Sequence, residues 1–225
     1  MKVIVLGAGI IGTASAWFLN KSGHEVTVLE RQAGAAQETS FANGCQISVS
    51  HAEPWANPAA PGKILKWLGK EDAPLLYRFR LEWLQWKWGL HFLRECTPAR
   101  TADNIRQIVS IAEYSRQTLQ QVRAETGIQY DHLTQGILHF YTDQKEFDDS
   151  LAAARLMCEL GCKRESISAD DVVRIEPALA SIRHKIVGGD FTASDESGDV
   201  YKFTTGLADK AAQAGVDFQY NTTIT

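Results

Sequence analysis

Four consecutive apolar strand formers, Val3, Ile4, Val5 and Leu6, are followed at once by the turn Gly7-Ala8-Gly9-Ile10-Ile11-Gly12. Beyond it, Ala14, Ala16, Trp17 and Leu19 recur at helical spacing, Gly23 stops the helix, and apolar and polar residues alternate through Glu25-Val26-Thr27-Val28-Leu29-Glu30. The pattern predicts strand, turn, helix, strand. Pro54, Pro58 and Pro61 keep residues 52–62 from being helical throughout. Leu76, Phe79, Trp83, Trp86 and Leu90 then recur at steps of three and four, as one face of a helix does. Such an aromatic stripe reads as core or interface, and Arg78, Arg80, Lys87 and Arg94 keep contact with a membrane surface as the alternative.

Ile105, Ile108, Val109, Ala112, Leu119 and Val122 make one stripe of a long helix over residues 102–126, ended by Gly127. A strand over 135–141, a helix over 145–160 and a second strand over 185–192 follow. Between them, Ser168 and Asp171 form a capping box for a short helix closed by Pro177. After a loop at 195–199, residues 200–214 are helical, with Phe203, Leu207, Ala208 and Ala211 on the buried side, and 216–220 is a strand. Three strands, at 3–6, 26–29 and 216–220, are candidates for one sheet, where about five or six are usual. An incomplete polypeptide, or one half of an assembly, is therefore expected.

The opening unit carries the chemistry. Gly7 permits the sharp turn, Gly9 lets backbone approach a pyrophosphate, and Gly12 lets the helix lie against the strand. The helix N-terminus offers unpaired amides and partial positive charge to phosphate. Glu30, at the tip of the second strand, is placed to accept hydrogen bonds from ribose hydroxyls. Either NAD or FAD satisfies this pattern.

Composition narrows the class. Of 225 residues, 44% are hydrophobic and 22% charged, as in a globular protein, and a net charge of −4 gives no electrostatic case for nucleic acid. Cys45, Cys96, Cys158 and Cys162 lack the spacing of a zinc site or redox pair; Cys158 and Cys162 read as buried free thiols in a reducing compartment. The core strand begins within two residues of Met1, leaving no room for a signal peptide, so a cytoplasmic location is expected.

The opening unit and a series of further motifs resemble the FAD-dependent amine and amino-acid oxidoreductases related to D-amino acid oxidase, glycine oxidase and sarcosine oxidase. Within that family the likeness is to the small subunits of bacterial D-amino acid dehydrogenases. The motifs are Glu38-Thr39-Ser40-Phe41-Ala42-Asn43-Gly44, Gln46-Ile47-Ser48, Pro54-Trp55-Ala56, Lys66-Trp67, Ala112-Glu113-Tyr114-Ser115-Arg116, Arg123-Ala124-Glu125-Thr126, Glu176-Pro177-Ala178-Leu179 and Asp195-Glu196-Ser197-Gly198-Asp199. The likeness extends over the whole chain.

The resemblance implies an α/β fold: a Rossmann-like FAD-binding domain with an inserted α+β substrate domain, incomplete at its C-terminus. The expected divisions are 1–100 for the first part of the FAD-binding domain, 101–194 for the substrate domain and 195–225 for the return to the FAD-binding domain. The implied reaction is oxidation of D-amino acids such as D-alanine to 2-oxo acids and ammonia. Electrons pass to the quinone pool or another acceptor, with peripheral attachment to the inner membrane. An oxygen-using glycine or sarcosine oxidase and a catalytically silent flavin-binding subunit are the alternatives.

The expected cofactor contacts are Leu6, Gly7, Ala8, Gly9, Ile10, Ile11 and Gly12 around the pyrophosphate and Glu30 and Arg31 at the adenosine ribose. Thr39, Ser40, Asn43 and Gly44 are expected near pyrophosphate and flavin, and Gln46 toward the flavin. Position 45 is cysteine where relatives often have glycine. No catalytic acid or base is named, and the arginine and tyrosine that grip a substrate carboxylate are expected beyond residue 225. His51 and Trp55 border the cofactor loop, with a structural role favoured, and His139 reads as a packed core histidine.

Overall fold

The computed structural model describes residues 1–72, 78 and 80–224. They form two compact units. The first comprises residues 1–48, 115–137 and 193–225, and the second residues 49–114 and 138–192.

The first unit is built on a parallel sheet of β1 (Lys2–Leu6), β2 (Glu25–Leu29) and β8 (Asp217–Gln219), in the order β1-β2-β8. Val3 lies opposite Val26, Val5 opposite Val28, and Val28 opposite Phe218. Because side chains alternate along a strand, this register gathers those apolar residues on one face. Two helices supply its cover. α1 (Ile10–Lys21) buries Thr13, Ala16 and Trp17, and α7 (Val200–Gln213) buries Phe203, Leu207, Ala208 and Ala211, all but Thr13 joining Val26 and Val28 in one core. On the opposite face Ile4 and Leu6 are 64% and 65% exposed.

A two-stranded antiparallel pairing of β3 (Gln46–Ile47) with β7 (Glu196–Ser197) also belongs to this unit. Neither strand is predicted from the sequence: each is two residues long, and the pairs Gln46 with Ser197 and Ile47 with Glu196 join distant parts of the chain. Buried ionic contacts hold this pairing. Glu196 accepts from Arg123 Nη1 at 2.5 Å and from Gln120 Nε2, and Arg123 also donates to the Tyr130 hydroxyl at 2.9 Å. Burial opposes the Glu196 charge, but Arg123 and Gln120 outweigh it and hold the carboxyl below its ordinary range.

The second unit contains a sheet in the order β4-β6-β5, from β4 (Ile137–Tyr141), β5 (Glu165–Ile167) and β6 (Gly188–Thr192), β5 running antiparallel to β6. Its helices are α2 (Ala60–Trp67), α3 (Trp83–Glu95), α5 (Gln144–Glu159) and α6 (Ala169–Ile175). The helix α4 (Pro98–Thr126) contributes to both units. The Ser168 cap is observed, its hydroxyl accepting from Asp171 N at 3.2 Å.

Four expectations need correction. The long helix begins at Pro98 rather than 102, because proline is accommodated in the first turn. The strand drawn over 185–192 starts at Gly188, after a 3-10 stretch Pro177–Lys185. Cys158 is exposed while Cys162 is buried, so the two are not a buried pair. Finally, the aromatic stripe is not core: α3 starts at Trp83 and contains no buried residue. Leu76 and Phe79 of that stripe lie outside the described residues.

Beside its apolar clusters around Val109 and Met157 and around Val172 and Ile186, the second unit carries a buried ionic cluster. The Arg164 guanidinium donates to Asp190 Oδ2 at 2.7 and 3.1 Å, to the Ser50 carbonyl, to Glu53 Oε1 at 3.1 Å and to the Tyr141 hydroxyl. Asp190, fully buried, also accepts from Ser150, Ser166 and Tyr141. Burial works against its charge, yet Ser166 and Arg164 hold the carboxyl below its ordinary range.

Candidate functional site

The turn from β1 into α1 is set by its glycines. Gly7 has φ of +95°, and a Cβ on Gly12 would run into the Gly7 carbonyl and come within 3.4 Å of Val5 Cγ1. The helix therefore lies on the strand at a distance only glycine allows. Gly9 differs. Its φ of −72° and ψ of 178° suit any residue, and a Cβ there would meet only the Ser40 hydroxyl, at 3.4 Å. The fold does not itself require glycine at that position, and a side chain there would occupy the space over the turn.

Glu30 closes one side of this space. Its carboxylate, 8% exposed, accepts from Ala8 N at 2.7 Å and from Gln32 N at 2.8 Å. Each oxygen takes one amide and retains a second lone pair for a hydroxyl. The acid is thus locked against the glycine turn, where the ribose of a dinucleotide needs it. The chain after β8 runs alongside, with Thr222 N donating to Glu30 O and Asn221 N to Gln32 O, both at 2.9 Å. That neighbourhood was not legible in the sequence, since nothing local marks residues 221 and 222.

Ser40 closes the other side. Its buried hydroxyl accepts from Ile10 N at 3.0 Å, satisfying the first amide of α1 while keeping its own proton to donate. The amides of Ile11 and Gly12, in the first turn, have no carbonyl four residues back to bond. Ile11 is 79% exposed. A phosphate at this N-terminus would meet those amides and the Ser40 proton together. Buried Thr13, which sequence reasoning passed over, donates from Oγ1 to the Ala8 carbonyl at 3.2 Å and braces the turn.

The remaining residues of the loop are more open. Thr39, Asn43, Gly44 and Gln46 are exposed, as is Leu6 at the end of β1. Asn43 Oδ1 accepts from Cys45 N at 2.7 Å, an Asx turn that places Cys45 at a φ of +53°. That left-handed conformation is the reason glycine suits position 45. Arg31 is engaged by Glu38, its Nε donating at 2.7 Å, and hydrogen bonds from Gln32 and Arg31 lower the Glu38 carboxyl.

In the second unit a cleft of about 390 Å³ is lined by His51, Glu53, Leu138, His139, Phe140, Tyr141 and Arg164. The His51 and His139 rings stack at 5.5 Å, so His139 is partly covered rather than fully packed in the core. Arg164 makes five hydrogen bonds to four oxygen acceptors and Arg123 is tied to Glu196. Neither guanidinium is available to grip a substrate carboxylate.

A parallel sheet, a glycine turn against a helix N-terminus and an acid locked beside it define a dinucleotide-binding α/β protein. The chain belongs to the DAO family, FAD dependent oxidoreductase, whose signature it matches over residues 2–225. The D-amino acid dehydrogenase of Dechloromonas aromatica (strain RCB) is 58% identical over 224 residues, covering all of this chain and 54% of that protein. The D-amino acid dehydrogenase of Paramagnetospirillum magneticum (strain ATCC 700264 / AMB-1) is 52% identical over 225 residues and is covered over 53% of its length. The chain thus spans about half the length of the curated relatives it matches.

Among solved structures, L-proline dehydrogenase from P. horikoshii is similar with a TM-score of 0.69 at 18% identity, covering all of this chain and 45% of that one. Glycine oxidase from Geobacillus kaustophilus follows with a TM-score of 0.65 at 18% identity, covering 97% of this chain and 46% of that one. At such identity these two speak for the fold alone.

Proposed function

We propose that the protein of which this sequence is characteristic oxidises D-amino acids, of which D-alanine is representative, to 2-oxo acids and ammonia. The observation that carries the reading is 58% identity, over all of this chain, to a D-amino acid dehydrogenase. The relatives are about twice as long, so the reaction is proposed for a protein of that full length.

On this reading the first unit holds the cofactor and the second contributes to the substrate side. Glu30 takes the adenosine ribose. Gly7, Ala8, Gly9, Ile10, Ile11 and Gly12, with the Ser40 hydroxyl, take the pyrophosphate, and Leu6 flanks them. Arg31 lies at the adenosine end, while Thr39, Asn43, Gly44 and Gln46 line the path toward the flavin. Bound FAD supplies the acceptor for two electrons and a hydrogen from the substrate α carbon. The chain's own part is to bind and orient, and no proton transfer is assigned to its residues.

The electron acceptor is a quinone or an equivalent carrier, reached at a membrane surface. A test on the full-length protein follows D-alanine with an artificial two-electron dye and with an oxygen electrode in parallel. The dye is expected to be reduced while oxygen is not consumed. Stoichiometric oxygen uptake would move the protein to the oxidases, and a flavin-loaded protein inert toward every D-amino acid would remove the reaction.

A further inference from the structure

We propose that one polar face of α4, formed by Arg116, Gln120 and Arg123, is the positioning element for the flavin end of the cofactor site, acting through Glu196 on residues 45–48. This deepens the proposed function and rests on it in one respect, that Gln46 and its neighbours line the path toward the flavin.

Packing does not fix that path. None of residues 41–48 is buried, whereas Glu30 and Ser40, read as ribose and pyrophosphate contacts, both are. A strand of two residues makes too few ladder bonds to hold itself in place. The course of 45–48 depends instead on hydrogen bonds to residues 195–198. Cys45 O accepts from Gly198 N at 3.0 Å, Gln46 pairs with Ser197 and Ile47 with Glu196, and Ser48 Oγ donates to Asp195 Oδ2 at 2.8 Å.

The segment 195–198 is itself fixed from its other side. Ser197 exchanges backbone bonds with Leu133 at 2.8 and 3.0 Å, and Asp199 N donates to Tyr130 O at 2.7 Å. A Cβ on Gly198 would fall 2.5 Å from Tyr130 Cε2, so glycine is what lets the chain cross that ring. Arg116, Gln120 and Arg123, spaced four and three along α4, share one face of the helix. They donate to Ser194 O at 3.0 Å, to Glu196 Oε1 at 2.5 Å and to Glu196 Oε2 at 2.5 Å, respectively. Both oxygens of a carboxylate only 4% exposed are thereby held, one of them by a charge-assisted bond, stronger than a neutral one. All of these residues belong to the first unit. Sequence motifs that the cofactor cradle leaves unused, at 112–116, 123–126 and 195–199, each supply a member of this chain of contacts, and the motif at 46–48 is what they hold.

The test is titration of the full-length protein, stripped of flavin, with ADP and with FAD. Glu196→Gln is expected to weaken FAD by about tenfold, since apparent affinity falls with the fraction of molecules that keep residues 45–48 in place. ADP, which ends short of the flavin, is expected to change by less than about twofold. At saturating FAD the visible circular dichroism of the flavin, which reports the asymmetry of its surroundings, is expected to change as well. Gln120→Ala, which leaves the pair of Arg123 and Glu196 intact, is expected to show the same split at about threefold, and it carries the test if Glu196→Gln does not fold.

Equal losses for ADP and FAD would show a support of the whole unit rather than of the flavin end, and would overturn the proposal. Unchanged FAD affinity with unchanged dichroism would overturn it too. No substrate enters these measurements, so a protein that shows the split yet is inert toward D-amino acids would lose the proposed reaction and keep the positioning role.

Discussion

Gly12 is the residue at which side-chain size and function meet most directly, because one methyl group there collides with the Gly7 carbonyl. Gly12→Ala must push α1 off β1, at about 1–3 kcal/mol, which urea unfolding of the first unit would report. Ser40 presents the opposite case, a residue whose loss costs little to the fold. Ser40→Ala leaves Ile10 N exposed to solvent or ligand and removes a proton aimed at the pyrophosphate. FAD affinity is expected to fall by about 0.5–1.5 kcal/mol with the melting temperature almost unchanged. The glycines and Glu30 were legible in the sequence because each answers a local constraint within a strand-turn-helix-strand unit. The interaction of Ser40 with Ile10 was not, since a hydroxyl thirty positions away carries no signal of which amide it meets.

At the scale of the element, buried charge decides how the two units respond to acid. Asp190 and Glu196 both have carboxyls held below their ordinary range, by Ser166 and Arg164 in one case and Arg123 in the other, against the cost of burial. The unfolded chain therefore binds more protons than the folded one between the folded values and the ordinary carboxylate value of about 4. Their contribution to stability is fully present above that value and is lost as pH falls through the folded values. Acid titration followed by circular dichroism should show flat stability from neutrality to about pH 5 and a loss below about pH 4. Asp190→Ala leaves the Arg164 charge in place without its main partner, and about 3–5 kcal/mol of destabilisation is expected in chemical denaturation. Nothing in the residue pattern points to this pair. Asp190 lies in β6, while Arg164 directly precedes β5, a strand of three residues that was not predicted.

At the scale of the whole molecule, periodicity told which residues share a helix face but not what lies against it. That is why the stripe of α7, Phe203, Leu207, Ala208 and Ala211, is buried as expected, while the stripe of α3, read as core or interface, contains no buried residue. The same limit applies to β1, whose alternation put Val3 and Val5 toward the helices and left Ile4 and Leu6 open. Membership of the FAD dependent oxidoreductase family rests on the full chain, whereas the cradle is a claim about a few atoms of the first unit. Calorimetric titration of the chain with FAD and with ADP, in the parent and in Glu30→Ala, tests that claim most directly. Competition between ADP and FAD for one site is expected, with both weakened by about 1–3 kcal/mol in the variant. FAD binding that ADP does not displace, or that Glu30→Ala leaves unchanged, would contradict it.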